Sequence, residues 1–279
     1  MTRRSLFPLP LAAFAATPSQ LFAPNNLVAW CIVPFDAKKR NPEQRAELLH
    51  KLGFTKFVYD WRDKDVPDFD REIDALQKHH IHLQGFWTPY PMDPTRPHHT
   101  AKILDLLKRR NLRTELWTML NPTKEFATLP QNQKIEQAAA AITRLATDAK
   151  AIHSKVGLYN HGGWFGEPAN QIAIIKKVSM PNIGIVYNFH HAHEQMDQFP
   201  SLLQQMLPYL YAVNINGMKA GTKILPVGDG DRELEMLRTL VKSGYKGPIG
   251  ILGHREELDA EESLTLNLKG LKKLATLLS

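Results

Sequence analysis

A single (β/α)8 barrel of the TIM type is the fold this sequence predicts, on three observations. Eight short apolar runs alternate with eight longer segments of helical period. Several of the runs are apolar almost throughout, as parallel strands covered on both faces should be. No Gly-rich phosphate loop follows an early strand, although a doubly wound open sheet would usually carry one. With 279 residues, 43% of them hydrophobic, the chain can bury one large core of this kind. It shows no internal repeat, low-complexity segment or domain linker.

The chain opens with Thr2-Arg3-Arg4-Ser5, followed by the apolar LFPLPLAAFAA and the small or polar TPSQ. That is the order of an export signal, with adjacent arginines as in a twin-arginine leader, although Pro8 and Pro10 interrupt its apolar part. Residues 1–23 are therefore assigned to a signal peptide cleaved between Ala13 and Ala23, and residues 24–279 to the barrel. The expected location is periplasmic or extracellular. The apolar stretch is too short and too interrupted to span a bilayer, so no transmembrane segment is expected.

The strands are expected at 27–33, 54–60, 81–87, 112–119, 155–160, 183–189, 210–216 and 248–253. Asn41 caps the first helix, with Pro42 at its first position, Gln44 two residues later and Gly53 beyond its end. Later helices run near 68–79, 98–109, 133–153, 169–178, 194–206, 231–243 and 262–278. TPYPMDPTRP and NPTKEFATLPQ read as Pro-containing loops. The charge of +7 is spread among 28 acids, which describes a solvated surface, so no nucleic-acid partner is expected. Cys31, the only cysteine, excludes an internal disulfide and any multi-cysteine metal site; within LVAWCIV it reads as a buried inert thiol.

In such a barrel the chemistry sits where strands end and βα loops begin. Those ends carry Asp60, Trp61, Trp87, Tyr90, Asn121, Asn160, His161, Trp164, Glu167, Asn188, His190, His191, His193, Asn214, Asn216, Lys219 and His254. Residues two apart share a strand face, and small residues mark the crowded interior. By that alternation Gly157 puts Tyr159 and His161 inside, and Gly184 with Val186 puts Asn188 and His190 there. Ala212 likewise selects Asn214 and Asn216, and Gly250 selects Leu252 and His254. Glu115 and Arg113 share a face of the fourth strand and are expected to pair inside the barrel.

KILPVGDGDRELEMLRTLVKSGYKGPIGI resembles the end of the xylose-isomerase-like sugar isomerase/epimerase superfamily, and NHGG and Asn188-x-x-His191 extend the likeness back to about residue 155. The resemblance implies a TIM barrel acting on a sugar or sugar derivative, usually with a divalent metal held by carboxylates and a His at the ends of strands five to eight. This chain departs at each position. Tyr159 stands where the family has a Glu, Asn188 where it has an Asp, Asn214 where it has a His, and Leu252 approximately where it has a Glu. Neutral replacements leave a hard cation uncompensated, so the usual carboxylate metal site is expected to be lost.

Three readings follow. The barrel processes a small-molecule carbohydrate without metal, through proton transfer by His161, Glu167, His191 and His254. Alternatively, His161, His191 and His254 coordinate a divalent metal in a rearranged site, the one cofactor the residues would suit. In the third, the barrel binds a carbohydrate without turnover. In each, Asn160, Asn188, His190, Asn214, Asn216 and Lys219 would bind hydroxyls or an acidic group, and Trp87 and Trp164 would stack on a sugar face. Glu167 is taken as the only carboxylate of the cluster, although it also suits the cap of a helix beginning at Pro168.

Overall fold

The computed structural model describes residues 17–221, 224–255 and 257–278. Eight parallel strands close into a barrel: β1 (Leu27–Trp30), β2 (Lys56–Tyr59), β3 (His82–Trp87), β4 (Glu115–Thr118), β5 (Lys155–Tyr159), β6 (Ile183–Asn188), β7 (Leu210–Ile215) and β8 (Ile249–Leu252). Each strand pairs with its sequence neighbours, and β1 closes on β8 in the register Leu27 to Ile249 through Trp30 to Leu252. Around them lie α1 (Pro42–Lys51), α2 (Phe69–Lys78), α3 (Thr100–Arg109), α4 (Gln131–Ala151), α5 (Pro168–Val178), α6 (Phe199–Met206), α7 (Glu233–Lys242) and α8 (Ala260–Thr276).

All eight expected strands and helices form; the strands are no longer than expected, and three helices, Gln131–Ala151, Pro168–Val178 and Ala260–Thr276, begin one or two residues earlier than expected. β1 stops at Trp30 because Cys31 turns the chain at φ 58°, in the left-handed region. The start of α1 follows the sequence signals: Asn41 Oδ1 accepts from Gln44 N at 3.0 Å, and Gln44 Oε1 accepts from Asn41 N at 3.1 Å. Before α6 the segment expected to be helical winds as a 3-10 turn, His193–Gln198. The two Pro-containing loops are not wholly irregular, since Tyr90–Pro91 pairs in parallel with Leu120–Asn121. Tyr90 N and Met92 N donate to Met119 O and Asn121 O, so Pro91, between them, loses no bond by lacking an N–H.

The core has two layers. Outward-facing Phe57, Tyr59, Phe86, Leu116, Leu158 and Tyr187 pack beneath the helices, while the interior holds Val28, Trp30, Val58, Trp117, Tyr159, Val186, Ala212 and Leu252. Glycine makes room for the large interior side chains. A Cβ on Gly250 would meet Asn214 Oδ1 at 1.9 Å, and one on Gly157 would meet Val186 Cγ2 at 2.7 Å. Glu115 does face inward, but Arg113 is exposed; Glu115 instead accepts from Trp117 Nε1 at 2.9 Å and Gln84 Nε2 at 3.1 Å. Between α1 and α2, Arg45 and Glu72 form a buried two-bond ion pair at 3.0 and 2.6 Å.

Residues 1–16, most of the expected signal peptide, lie outside the described residues. From Thr17 the chain is folded against the N-terminal end of the barrel. Leu21 and Phe22 are buried in the core, and Asn26 Nδ2 donates to Leu21 O at 2.8 Å and Gly247 O at 2.9 Å, fastening the segment at the foot of β8. No helix among the described residues is long and apolar enough to cross a membrane.

Candidate active site

At the C-terminal mouth of the barrel a cavity of about 70 Å³ is lined by residues from six strand ends and loops. Trp30 and Tyr159 form its floor. Trp30 Nε1 donates to the Tyr159 hydroxyl at 3.2 Å, and Asn188 Nδ2 donates to the same oxygen. Burial raises the Tyr159 pKa well above its usual value, so the hydroxyl stays protonated. Trp87 stands edge-on to Tyr159, with ring centroids 5.2 Å apart. Phe35 and His254 lie with ring centroids 3.6 Å apart at the side of the cavity, where Arg62 sits over Phe35 at 5.8 Å. The loop carrying Phe35 is held by Asp36, whose Oδ1 accepts from Arg40 at 2.7 Å and from Ala260 N at 3.1 Å, at the start of α8.

The carboxylate of this pocket is Asp60. It is 1% exposed, its Oδ1 accepts from Val33 N at 3.2 Å, and its buried Oδ2 has no hydrogen-bond partner among the described residues. Burial pushes its carboxyl up to about 6, against the opposing pull of Arg62 and the Val33 N–H. The sequence placed Asp60 at a strand end. Applied from Val58, the alternation used for strands five to eight also turns it inward, and this was the signal that could have found it. Cys31 lines the cavity as well, and burial raises its thiol pKa well above the usual value, in keeping with an inert group.

A string of imidazoles crosses the mouth: His161 to His191 at 4.5 Å, His191 to His190 at 4.4 Å, and His190 to His254 at 5.1 Å between centroids. Burial and the neighbouring histidines bring His191 down to about 2. Burial, His190 and Arg62 bring His254 down to about 4, and burial also lowers His161. At neutral pH His161, His191 and His254 are uncharged, each with one N–H to donate and one nitrogen to accept. His161, His191 and His254 do not bring three ligand atoms within 4.8 Å of one another. Among the described residues only Glu43, Glu47 and His79 do so, far from the mouth on α1 and beyond α2.

Of the other sequence candidates, Trp87 lines the pocket and Asn188 supports its floor. Glu167 does not reach it. It is exposed and accepts from Gln195 Nε2 at 3.0 Å, while Gln195 Oε1 accepts from outward-facing Tyr187. Asn160 is spent on strand pairing: its Nδ2 donates to Asn188 O at 3.1 Å and its Oδ1 accepts from Asn188 N at 2.7 Å. Trp164 faces a separate apolar cavity. Asn214 is fully buried in the barrel, with both amide atoms unpartnered among the described residues. Asn216 Nδ2 donates to Gly217 O at 2.9 Å, and exposed Lys219 meets His193 Nδ1 through its backbone O at 3.2 Å.

The GDGD loop that carries the family likeness has a structural cause. Glu233, at the start of α7, is 2% exposed and accepts from Met218 N, Gly228 N and Gly230 N at 2.9 to 3.0 Å. Gly230 lies so close that a Cβ would meet the Glu233 carboxylate at 2.2 Å.

The fold is widely shared among solved structures. An IolI protein with a bound zinc atom superposes with a TM-score of 0.70 at 14% identity, covering 91% of this chain and 99% of that one. The probable 3-DHS dehydratase AsbF of Bacillus anthracis gives 0.69 at 13% identity, over 88% of this chain and 98% of the other. The 3-keto-D-glucoside 4-epimerase YcjR of E. coli gives 0.68 at 14% identity, over 90% and 99%. No curated protein sequence matches the chain. The family model described as a xylose isomerase-like TIM barrel matches residues 46–274, nearly the whole barrel, and the chain belongs to that family.

Proposed function

We propose that this barrel acts on a sugar or sugar derivative by proton transfer, with Asp60 taking and returning the proton. The observation that carries the reading is the buried, unpartnered Asp60 Oδ2 in a pocket walled by aromatic rings and neutral imidazoles. A carboxyl with a pKa of about 6 is ionised at neutral pH yet basic enough to accept a proton, the match that general-base catalysis needs. In an isomerisation or epimerisation, Asp60 Oδ2 would take the proton from a carbon next to the sugar carbonyl. The charge then developing on the carbonyl oxygen would be met by the Arg62 guanidinium and by N–H groups of His191 or His254. Trp30, Trp87 and Phe35 would pack against the apolar C–H faces of the substrate. Fold neighbours include the 3-keto-D-glucoside 4-epimerase and a D-psicose 3-epimerase solved with D-tagatose, which supports the substrate class.

The carboxylate-held cation of the family is left out of this reading because the residues do not suit it. Tyr159 and Asn188 are bonded to each other, Leu252 packs among Val186, Ala212 and Trp117, and none of the four family positions offers an anionic oxygen.

The test is solvent exchange. Incubation in deuterium oxide with ketoses, 3-ketoglycosides and sugar acids should label a substrate carbon in wild type. His191→Ala, which removes an N–H donor to the developing oxyanion, should lower that rate by about 10²- to 10³-fold. Binding without label in wild type would make the protein a carbohydrate-binding barrel, and stoichiometric zinc by elemental mass spectrometry would reinstate the histidine-metal reading.

Export remains part of the proposal, and burial of Leu21 and Phe22 narrows the processing site. Cleavage that spares this packing falls before Leu21. Intact mass of the exported protein should show a mature start between residues 14 and 21; an uncleaved N-terminus would remove the signal assignment.

A further inference from the structure

Beside the central pocket lies a second, larger cavity of about 300 Å³, walled chiefly by Met92, Met119, Leu120, Phe126, Trp164 and Phe165. Its walls are built in advance. The short parallel pair of Tyr90–Pro91 and Leu120–Asn121 fixes one side. On the other side Trp164 donates from Nε1 to Gln131 Oε1 at 2.7 Å, Gln131 Nε2 donates to Asn170 Oδ1 at 2.7 Å, and Asn170 Nδ2 returns to Trp164 O at 2.7 Å. Phe126 meets the Trp164 ring edge-on at 5.1 Å. No acidic residue lines the space, and the one charged residue, Lys134, lies over the Phe126 ring at 5.9 Å. A preformed apolar cavity of this size at a barrel mouth is the usual form of a small-molecule site.

The two cavities share one stretch of chain. His161 lines the central pocket, and the next two residues, Gly162 and Gly163, line the second. Both glycines have positive φ, 81° and 60°, and a Cβ built on either would meet nothing within 4 Å. The space above them is open, so a group attached to a molecule in the central pocket can pass over them into the apolar cavity.

We infer that the second cavity holds an aryl group carried by the sugar derivative, so that the substrate is an aryl glycoside or a similarly substituted sugar. Flat rings match walls made of Trp, Phe and Met, where edge-to-face and sulfur-to-ring contacts add to burial. The sugar half of this inference rests on the proposed function, whereas the aryl half rests on the cavity alone.

The experiment uses the full chain labelled with ¹³C-methyl methionine. Phenol alone should shift the Met92 and Met119 methyl resonances in wild type. It should not do so in Ala127→Phe, a substitution at an exposed edge of the lining that fills the cavity. Phenyl β-D-glucoside should bind at least about tenfold more tightly than methyl β-D-glucoside, as burial of a ring predicts, and Ala127→Phe should erase the difference without weakening the methyl glycoside. Phenol leaving both methionines unmoved, or moving them equally in the variant, overturns the inference, as does equal affinity for the two glycosides. If phenol binds but neither glycoside perturbs the pocket histidines, the aryl cavity stands and the sugar reading falls.

Discussion

Replacing Asp60 with Asn is expected to stabilise the protein by about 3 kcal/mol at about pH 8 while abolishing proton exchange with substrate. The carboxyl has a pKa of about 6 in the fold, against about 3.9 in an unfolded chain, a gap of roughly two units at about 1.4 kcal/mol each. The folded state holds the proton more tightly, so its stability is greatest when Asp60 is protonated. It falls as pH rises from about 4 to about 6 and stays reduced above that. Asn keeps an oxygen for the Val33 N–H and carries no charge to bury. Urea unfolding of wild type and Asp60→Asn from about pH 3.5 to 8 would show curves that coincide at the acid end and separate near neutrality. Curves that stay together at pH 8 would show that the carboxylate is not desolvated, and the base assignment would lose its basis. A residue that weakens the fold where it is charged suits a group kept for function.

The second large effect is acid destabilisation by the imidazole string. His191 titrates at about 2 and His254 at about 4, against about 6.5 when unfolded. Below about pH 6.5 the unfolded chain takes up protons that the folded one refuses. Each of the two histidines therefore lowers stability by about 1.4 kcal/mol per pH unit on acidification. The stability they confer is complete above about pH 6.5 and is lost as pH falls. Between about pH 6 and 4.5 Asp60 works in the opposite sense, gaining its proton in the folded state first and cancelling about one of the two slopes. Wild type should therefore lose about 2 kcal/mol over that window, and Asp60→Asn about twice as much. His191→Ala should flatten the wild-type profile by one proton. An Asp60→Asn stability that does not change between about pH 6.5 and 4.5 would show that the rings are freely solvated.

The architecture was legible in the chain because barrel strands and their helices announce themselves locally. Buried parallel strands need apolar runs, helices need caps, and Asn41-Pro42 and Pro168 mark their starts where the structure has them. Inward-facing residues on strands five to eight were legible for the same reason, since alternation along a strand is a property of the backbone. Tyr159, Asn188, Asn214 and Leu252 all face the barrel interior.

What only the tertiary structure decided is which polar groups are left over. Glu167 and Asp60 are both acids at strand ends, yet Gln195 engages one in solvent and the other is buried with a free oxygen. Asn160 looked like a ligand for hydroxyls until Asn188 turned out to claim its whole amide. Trp164 points away from the central pocket because Gln131, thirty-three residues earlier, holds its indole N–H. Periodicity tells which way a side chain points. Whether its hydrogen bonds are already taken depends on residues remote in sequence, and in this barrel that separates the pocket from its scaffold.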